Sequence, residues 1–336
     1  MRITHAAKVL MFYIGIFAII RKLTPNPRAA ILRYHAIVDN DDNDYANPSI
    51  CLSKKSFERH VKYFSQKYNV VSLDTVIKTL QDGKPLPVNA VVFTFDDGYA
   101  DNFIAAQILK KYRATGTFYL TAACIDRREP FWLSEVIYCV LHTQKSSLVI
   151  QAAQGEEINF NLINTNKSKR WQITEKLIGI IKSNNRRVRE EIRQQIREQL
   201  DDVRFAEVAD KIMLTWEQVR RMHDNGMTIG GHTMTHLNLP NAGRKDAEAE
   251  ILDCKKLLEE KLDCEVIHFS YPNSGPYKYY SGEIRNIVER SGYLSSATSY
   301  AGFAGKDCDP FALKRVRTIP SLVETVAGIE LDRVLK

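Results

Sequence analysis

Val91-Val92-Phe93-Thr94-Phe95-Asp96-Asp97-Gly98 is the most informative stretch of this 336-residue chain. An apolar run with the composition of a buried strand, Ala90–Phe95, ends on two adjacent carboxylates and a glycine. Neighbouring carboxylates at a strand's end repel unless a positive group lies between or beside them, and a metal ion does this well. One aspartate can then ligate while the other stays free as a base. Asp-Asp-Gly is also ordinary turn chemistry, so the motif alone leaves a plain turn open.

Outward from this strand, short apolar segments alternate with amphipathic ones. Further strands are predicted at Ala30–Tyr34, Asn69–Ser72, Gly116–Ala122, Met227–Gly230, Val266–Tyr271, Leu294–Thr298 and Leu313–Thr318. Helices fit at Lys54–Tyr68, Leu73–Gln81, Phe103–Tyr112, Trp216–Asn225, Arg244–Leu262 and Ser281–Ser291. Alternation of this kind makes the chain α/β, with a parallel sheet that is either open or closed as a barrel. No internal repeat is visible. The rhythm breaks between about 146 and 205. There, Leu148–Ala152 and Glu157–Leu162 alternate like a hairpin around Gln154-Gly155, and Lys167–Leu200 reads as helix, with Val188, Ile192, Ile196 and Leu200 four apart. Eleven basic against six acidic residues between Lys167 and Arg204 give this insertion most of the net charge of +7. The mixture of signs favours a solvated face over a site for an acidic polymer or anionic lipid.

The second motif is Ile229-Gly230-Gly231-His232-Thr233-Met234-Thr235-His236. Two histidines at i and i+4 fall on one side of a helical turn, where both imidazoles can reach one metal ion. Thr233 stands where a zincin carries its glutamate, so a general base must come from elsewhere, and Asp96 or Asp97 is available. Two histidines and a carboxylate also suit a non-haem iron oxygenase, but its usual HxD spacing is missing. Two more strands end in polar groups: Ile31-Leu32-Arg33-Tyr34-His35 and His268-Phe269-Ser270-Tyr271-Pro272-Asn273. Four strands presenting polar residues at their C-terminal ends is the arrangement of the catalytic face of an α/β barrel. His268 reads as structural, and His60 and His142, on helical segments, have no assigned role.

Thr94-Phe95-Asp96-Asp97-Gly98 and His232-Thr233-Met234-Thr235-His236, in this order, resemble the signature of the polysaccharide deacetylases (NodB homology, carbohydrate esterase family 4). The resemblance runs from Ala29 to about Pro320, with the insertion outside it. It implies a distorted (β/α) barrel with a helical and hairpin insertion, acting as a metal-dependent hydrolase that removes N-acetyl groups from amino sugars. By position, Asp97, His232 and His236 would hold a divalent metal, with zinc expected and cobalt, nickel or iron admitted by the donor set. Asp96 would be the general base. The backbone N–H of Asn273, with Tyr271 and Pro272 in the same motif, would form the oxyanion and substrate wall. The family's usual RxPY is Ser270-Tyr271-Pro272-Asn273 here, and no histidine follows His268 to make the C-terminal Leu-x-His motif. Leu32-Arg33-Tyr34-His35 resembles the branch in which that motif has moved to the first strand, as in biofilm poly-N-acetylglucosamine deacetylases, which makes His35 the expected general acid. Arg315 is the candidate to steady Asp96 in place of the missing arginine, with a salt bridge on the rim as its other reading.

Composition sets the remaining bounds. The charge excess is too mild to argue for nucleic acid. Six cysteines without a CxxC pair exclude a zinc ribbon and lean toward a reducing compartment. Residues 1–28 form a separate segment, an apolar run over residues 9–20 followed by a proline-rich linker, and residues 29–336 form the deacetylase domain. The run spans about 18 Å as a helix, short of a hydrocarbon core of about 30 Å, and lacks a convincing signal-cleavage site. Because it is apolar on all sides, membrane association is expected, either as an anchor or as a helix lying in the interface; basic residues at both ends give no orientation. The expected partners are therefore an N-acetylated amino-sugar polymer or a lipid-linked sugar, from which an acetyl or a formyl group is removed. A non-catalytic carbohydrate-binding relative would not need Asp96, and a membrane-tethered scaffold would leave the polar constellation unexplained.

Overall fold

In the computed structural model, which describes residues 3–39, 43–126, 131–152, 156–276 and 278–334, seven parallel strands close into a ring. They are β1 Ala30–Tyr34, β2 Ala90–Phe95, β3 Gly116–Leu120, β4 Thr228–Gly231, β5 His268–Ser270, β6 Ser295–Ala301 and β7 Leu313–Arg317. Each pairs with the next in chain order, and β7 closes on β1 with Leu32 opposite Val316 and Arg33 opposite Arg317. A two-residue strand, Asn69–Val70, adds to the start of β2. The barrel expected from the resemblance is therefore present.

Alternation along the strands divides the core in two. Leu32, Phe93, Phe95 and Phe118 face outward into the layer of helices. Ile31, Val92, Tyr119, Ala297 and Leu313 fill the barrel interior together with Leu73, Val76 and Ile77 of the helix Leu73–Gln81, which plugs the ring from below. Asp74 pins that plug: it accepts from Thr228 Oγ1 at 2.7 Å and lies 3.4 Å from His268 Nε2. His268 is thus structural. Parallel strands covered on both faces explain why β2 reads as a continuous apolar run. At the upper end the interior layer turns polar, with Arg33, Thr94, Ser270 and Arg315, and the site is built there.

The insertion has its own apolar core. Its hairpin pairs Ser147–Gln151 with Glu157–Asn161; the Gln154-Gly155 turn lies outside the described residues. The single helix expected over Lys167–Leu200 is two, Lys167–Lys182 and Arg186–Gln199. Asn185 accepts from the Val188 N–H as an N-cap, so the chain restarts a helix where the four-residue spacing alone suggested continuity. Both helices pack on Trp132–His142, which the sequence reading passed over. Arg193 and Arg197 each bind Glu135 (2.7 and 2.6 Å), so part of the insertion's charge is spent on fastening it to the barrel.

The N-terminal apolar run is broken at Gly15, whose φ of +83° separates the helices His5–Tyr13 and Ile16–Leu23. No helix among the described residues is long and apolar enough to cross a membrane, so a spanning anchor finds no support. Instead the helix pair lies on the helix Leu322–Leu331: Phe17 is buried, Arg21 binds Glu330 at 3.2 Å, and Lys8 binds Glu324 at 2.7 Å. Its outer face leaves Leu10, Tyr13, Ile14, Ile19 and Leu23 exposed.

Candidate active site

Asp97, His232 and His236 come together at the upper end of the barrel, with one ligating atom from each within 4.8 Å of the others and all three side chains buried. Both histidines turn Nε2 toward the same oxygen, Asp97 Oδ1, at 3.3 and 3.4 Å. The backbone makes this possible. Asp97 lies two residues past the end of β2 and adopts φ +80°, a left-handed conformation costly outside glycine and found where function over-determines the chain. Gly230 is required by contact: a Cβ there would stand 2.6 Å from the Tyr119 ring.

The two histidines are not on a helical turn. His232 leaves the end of β4, and the chain then bends through positive φ at Thr233 (+67°) and His236 (+54°). The Thr233 hydroxyl accepts from the His236 N–H at 2.9 Å and fixes the bend. The i,i+4 spacing gave the right pair for the wrong geometric reason. Three further contacts hold the loop. Glu250 accepts from the Thr235 N–H and hydroxyl (2.8 and 2.6 Å). Arg189 of the insertion donates to the Thr235 carbonyl and hydroxyl (both 3.0 Å). Trp132 Nε1 donates to the His236 carbonyl (3.3 Å). His232 Nδ1–H donates to the Ser270 carbonyl at 2.7 Å, which fixes the tautomer and leaves Nε2 as the free ligand. Two imidazole nitrogens and a carboxylate oxygen with open positions suit a catalytic zinc or a similar divalent ion.

Asp96 faces the other way. Arg315, fully buried, grips it with two parallel bonds, Nη1 to Oδ1 and Nη2 to Oδ2, both 2.7 Å. The same guanidinium reaches the Thr298 carbonyl at 2.8 Å and Ser270 Oγ at 3.2 Å. Burial alone would raise the Asp96 carboxyl; the Arg315 charge overrides it and holds Asp96 well below the usual carboxylate range. Of the two readings for Arg315, the rim salt bridge is excluded by its position. His35 Nε2 lies 3.6 Å from Asp96 Oδ2, and burial pulls this imidazole down to about 4, so it is neutral at neutral pH. Asn102 Nδ2 donates to the His35 carbonyl at 2.8 Å.

A pocket of about 460 Å³ opens over both groups, a size that suits a small ligand. His35, Asp96, Asp97, His232, His236 and Asn273 all line it. Pro272 and Tyr271 do not. The Tyr271 ring turns into the core, where its hydroxyl donates to the Phe311 carbonyl at 3.0 Å and accepts from Ser296 Oγ at 2.7 Å, so Tyr271 positions the loop and does not face substrate. Only Asn273 of that motif is turned to the pocket; φ +75° sends its backbone there, and its side-chain amide is buried without a partner. The sequence reading also missed the wall given by the insertion. Glu175, Ile178 and Lys182 on Lys167–Lys182 line the pocket, as does Arg33 of β1. Burial pulls Lys182 down to about 8 against the opposing pull of Asp97.

Comparison with known proteins agrees with this geometry. The family model described as polysaccharide deacetylase matches residues 83–295. The chain belongs to the polysaccharide deacetylase family. It is 22% identical over 305 residues to YxkH of Bacillus subtilis (strain 168), assigned in its name to the polysaccharide deacetylases, covering 90% of this chain and 75% of that one. Among solved structures, the Streptococcus pyogenes deacetylase PplD in complex with acetate superposes with a TM-score of 0.59 at 20% identity, covering 93% of this chain and all of the other. IcaB from Ammonifex degensii gives 0.56 at 17% identity, covering 90% and 97%. These likenesses show that the deacetylase family shares this barrel.

Proposed function

We propose that this deacetylase is a metal-dependent hydrolase that removes N-acetyl groups from amino sugars of a cell-envelope polysaccharide or exopolysaccharide. The observation that carries the reading is the pairing, in one pocket, of a buried Asp97–His232–His236 cluster with an aspartate, Asp96, that an arginine keeps ionised. Asp97, His232 and His236 would hold a divalent ion, zinc by their donor set, which would supply Lewis acidity to the acyl carbonyl and make a water easier to deprotonate. Asp96 takes that water's proton as its oxygen adds to the amide carbon. Arg315 keeps the carboxylate aimed and ionised. The backbone N–H of Asn273 steadies the oxyanion. His35, neutral at rest and 3.6 Å from Asp96, takes up that proton from Asp96 and passes it to the departing amine as the C–N bond breaks, so acetate and the free amino sugar leave. Release of acetate from N-acetylated amino-sugar polymers and oligomers, abolished by chelator and restored by zinc, is the test. Release of formate in its place would move the reading to a deformylase.

A second reading concerns where the sugar is met. The outward Leu10, Tyr13, Ile14, Ile19 and Leu23 form an apolar face that would lie in the headgroup region of a bilayer, bringing the enzyme to a lipid-linked amino sugar. Sedimentation with anionic vesicles, lost in a variant with Leu10, Ile14 and Ile19 changed to serine, is the expected outcome; no sedimentation of the native protein would remove this reading and leave the first intact.

A further inference from the structure

We propose that Arg33 and Arg317, at the C-terminal ends of β1 and β7, form an anion subsite next to Asp96, so that the acylated sugar this pocket takes carries a phosphate or carboxylate. The proposal rests on the deacetylase reading and specifies its substrate class. The two arginines are register partners on neighbouring strands and both line the pocket. Like charges placed directly opposite one another in a sheet are unfavourable. Asp96 gives Arg33 no hydrogen bond, since its oxygens are bound by Arg315. Arg33 Nε is buried with no hydrogen-bond partner, and among the described residues no ion pair engages the side chain. Burial and the Arg315 charge pull the Arg33 guanidinium down to about 10, with Asp96 opposing, so it stays charged at neutral pH. Arg317 gives Nη2 to the Ser49 carbonyl at 3.0 Å, which holds it at the rim. The remaining anionic groups of the pocket are engaged as well: Asp97 faces the two histidines, and Glu175 accepts from Asn47 Nδ2 at 3.4 Å. An unsatisfied guanidinium beside a second one, at the edge of a sugar-sized pocket, is matched by a bidentate oxyanion such as phosphate or carboxylate.

The test uses the full-length protein with zinc added. Binding is measured by calorimetry for di-N-acetylchitobiose, N-acetylglucosamine, its 1-phosphate, its 6-phosphate and N-acetylglucosaminuronic acid, and acetate release is followed in parallel. An anionic probe should bind about tenfold or more tightly than the neutral sugars, with the advantage shrinking as salt is raised. Which probe leads assigns the charge to a phosphate or a carboxylate. Arg33→Gln and Arg317→Gln should each cut the preference several-fold, and Arg33→Lys should restore part of it; if Arg33→Gln fails to fold, Arg317→Gln and Arg33→Lys carry the test. Equal binding of neutral and anionic sugars, or a preference that survives both glutamine changes, overturns the proposal. Acetate release with no anion preference would leave the deacetylase reading standing without the subsite. Anion preference without acetate from any probe or polymer would do the reverse.

Discussion

The pocket has two halves that solve the same problem differently. Asp96 and Asp97 are consecutive, equally buried carboxylates, and each must be kept ionised in a place that disfavours charge. Asp97 looks to two imidazoles, soft partners that leave room for a cation among them. Asp96 looks to one guanidinium, which binds each of its oxygens once and leaves lone pairs to accept a proton. Both lie just past the end of β2, and the left-handed turn at Asp97 sends the adjacent side chains to opposite partners. On the proposed reading, adjacency in sequence thus yields two different chemistries, a ligand and a base.

The sharpest way to break the contrast is at the ligand half. Asp97→Ala or His232→Ala should lose bound metal altogether by elemental analysis, while Asp96→Asn retains it; equal stoichiometry across the three proteins would dissolve the division. On the base half, Asp96→Asn should lower turnover by roughly 10²–10⁴ without changing metal content. Arg315→Gln tests what makes the halves different. Leaving a buried carboxylate without its partner costs on the order of 3–5 kcal/mol of stability. With Arg315 gone, burial is the dominant influence on Asp96 and raises its carboxyl. Protonation then sets in at higher pH, and the acid limb of the pH–rate profile should move upward; an unmoved limb would mean that Arg315 serves packing only. The smallest effect is expected at His35→Ala, about 10–100-fold in kcat with KM little changed, read as slower amine departure. A larger loss with a poorer leaving group would sharpen that role, and insensitivity to the leaving group would remove it.

Much of this was legible in the chain. The Val91–Gly98 stretch and the paired histidines announced the strand ends and the ligands, because a strand's apolar run and a short motif are local properties. The succession of strands and helices followed from alternation, which left the sheet open or closed; the barrel was implied by the family resemblance. What stayed hidden depended on distant segments. Nothing near Arg315 in sequence says that it is buried against Asp96, more than 200 residues away, and its two readings parted only when β7 and β2 were seen to share the barrel interior. The break at Ser183–Asn185 escaped because the apolar spacing continues across it, although Asn185 was a readable N-cap. Tyr271 was placed at the substrate by its motif, but its large ring found a better home between Phe269 and Tyr280. The insertion read as a solvated surface because paired and unpaired arginines look alike in a sequence; Arg189, Arg193 and Arg197 are clasps.

Ring closure by β7 also imposes an order in time. The half around Asp97 draws on β2, β4 and their loops and on the Ser270 carbonyl of β5, so all its parts are present once the chain has been made as far as Ser270. The base half must wait for Arg315, on the last strand of the ring, and until then Asp96 lacks the guanidinium that holds its charge inside the barrel. On the proposed reading, a growing polypeptide therefore has every part of the cation site before it has those of the base, and hydrolysis becomes possible only with the last stave of the barrel.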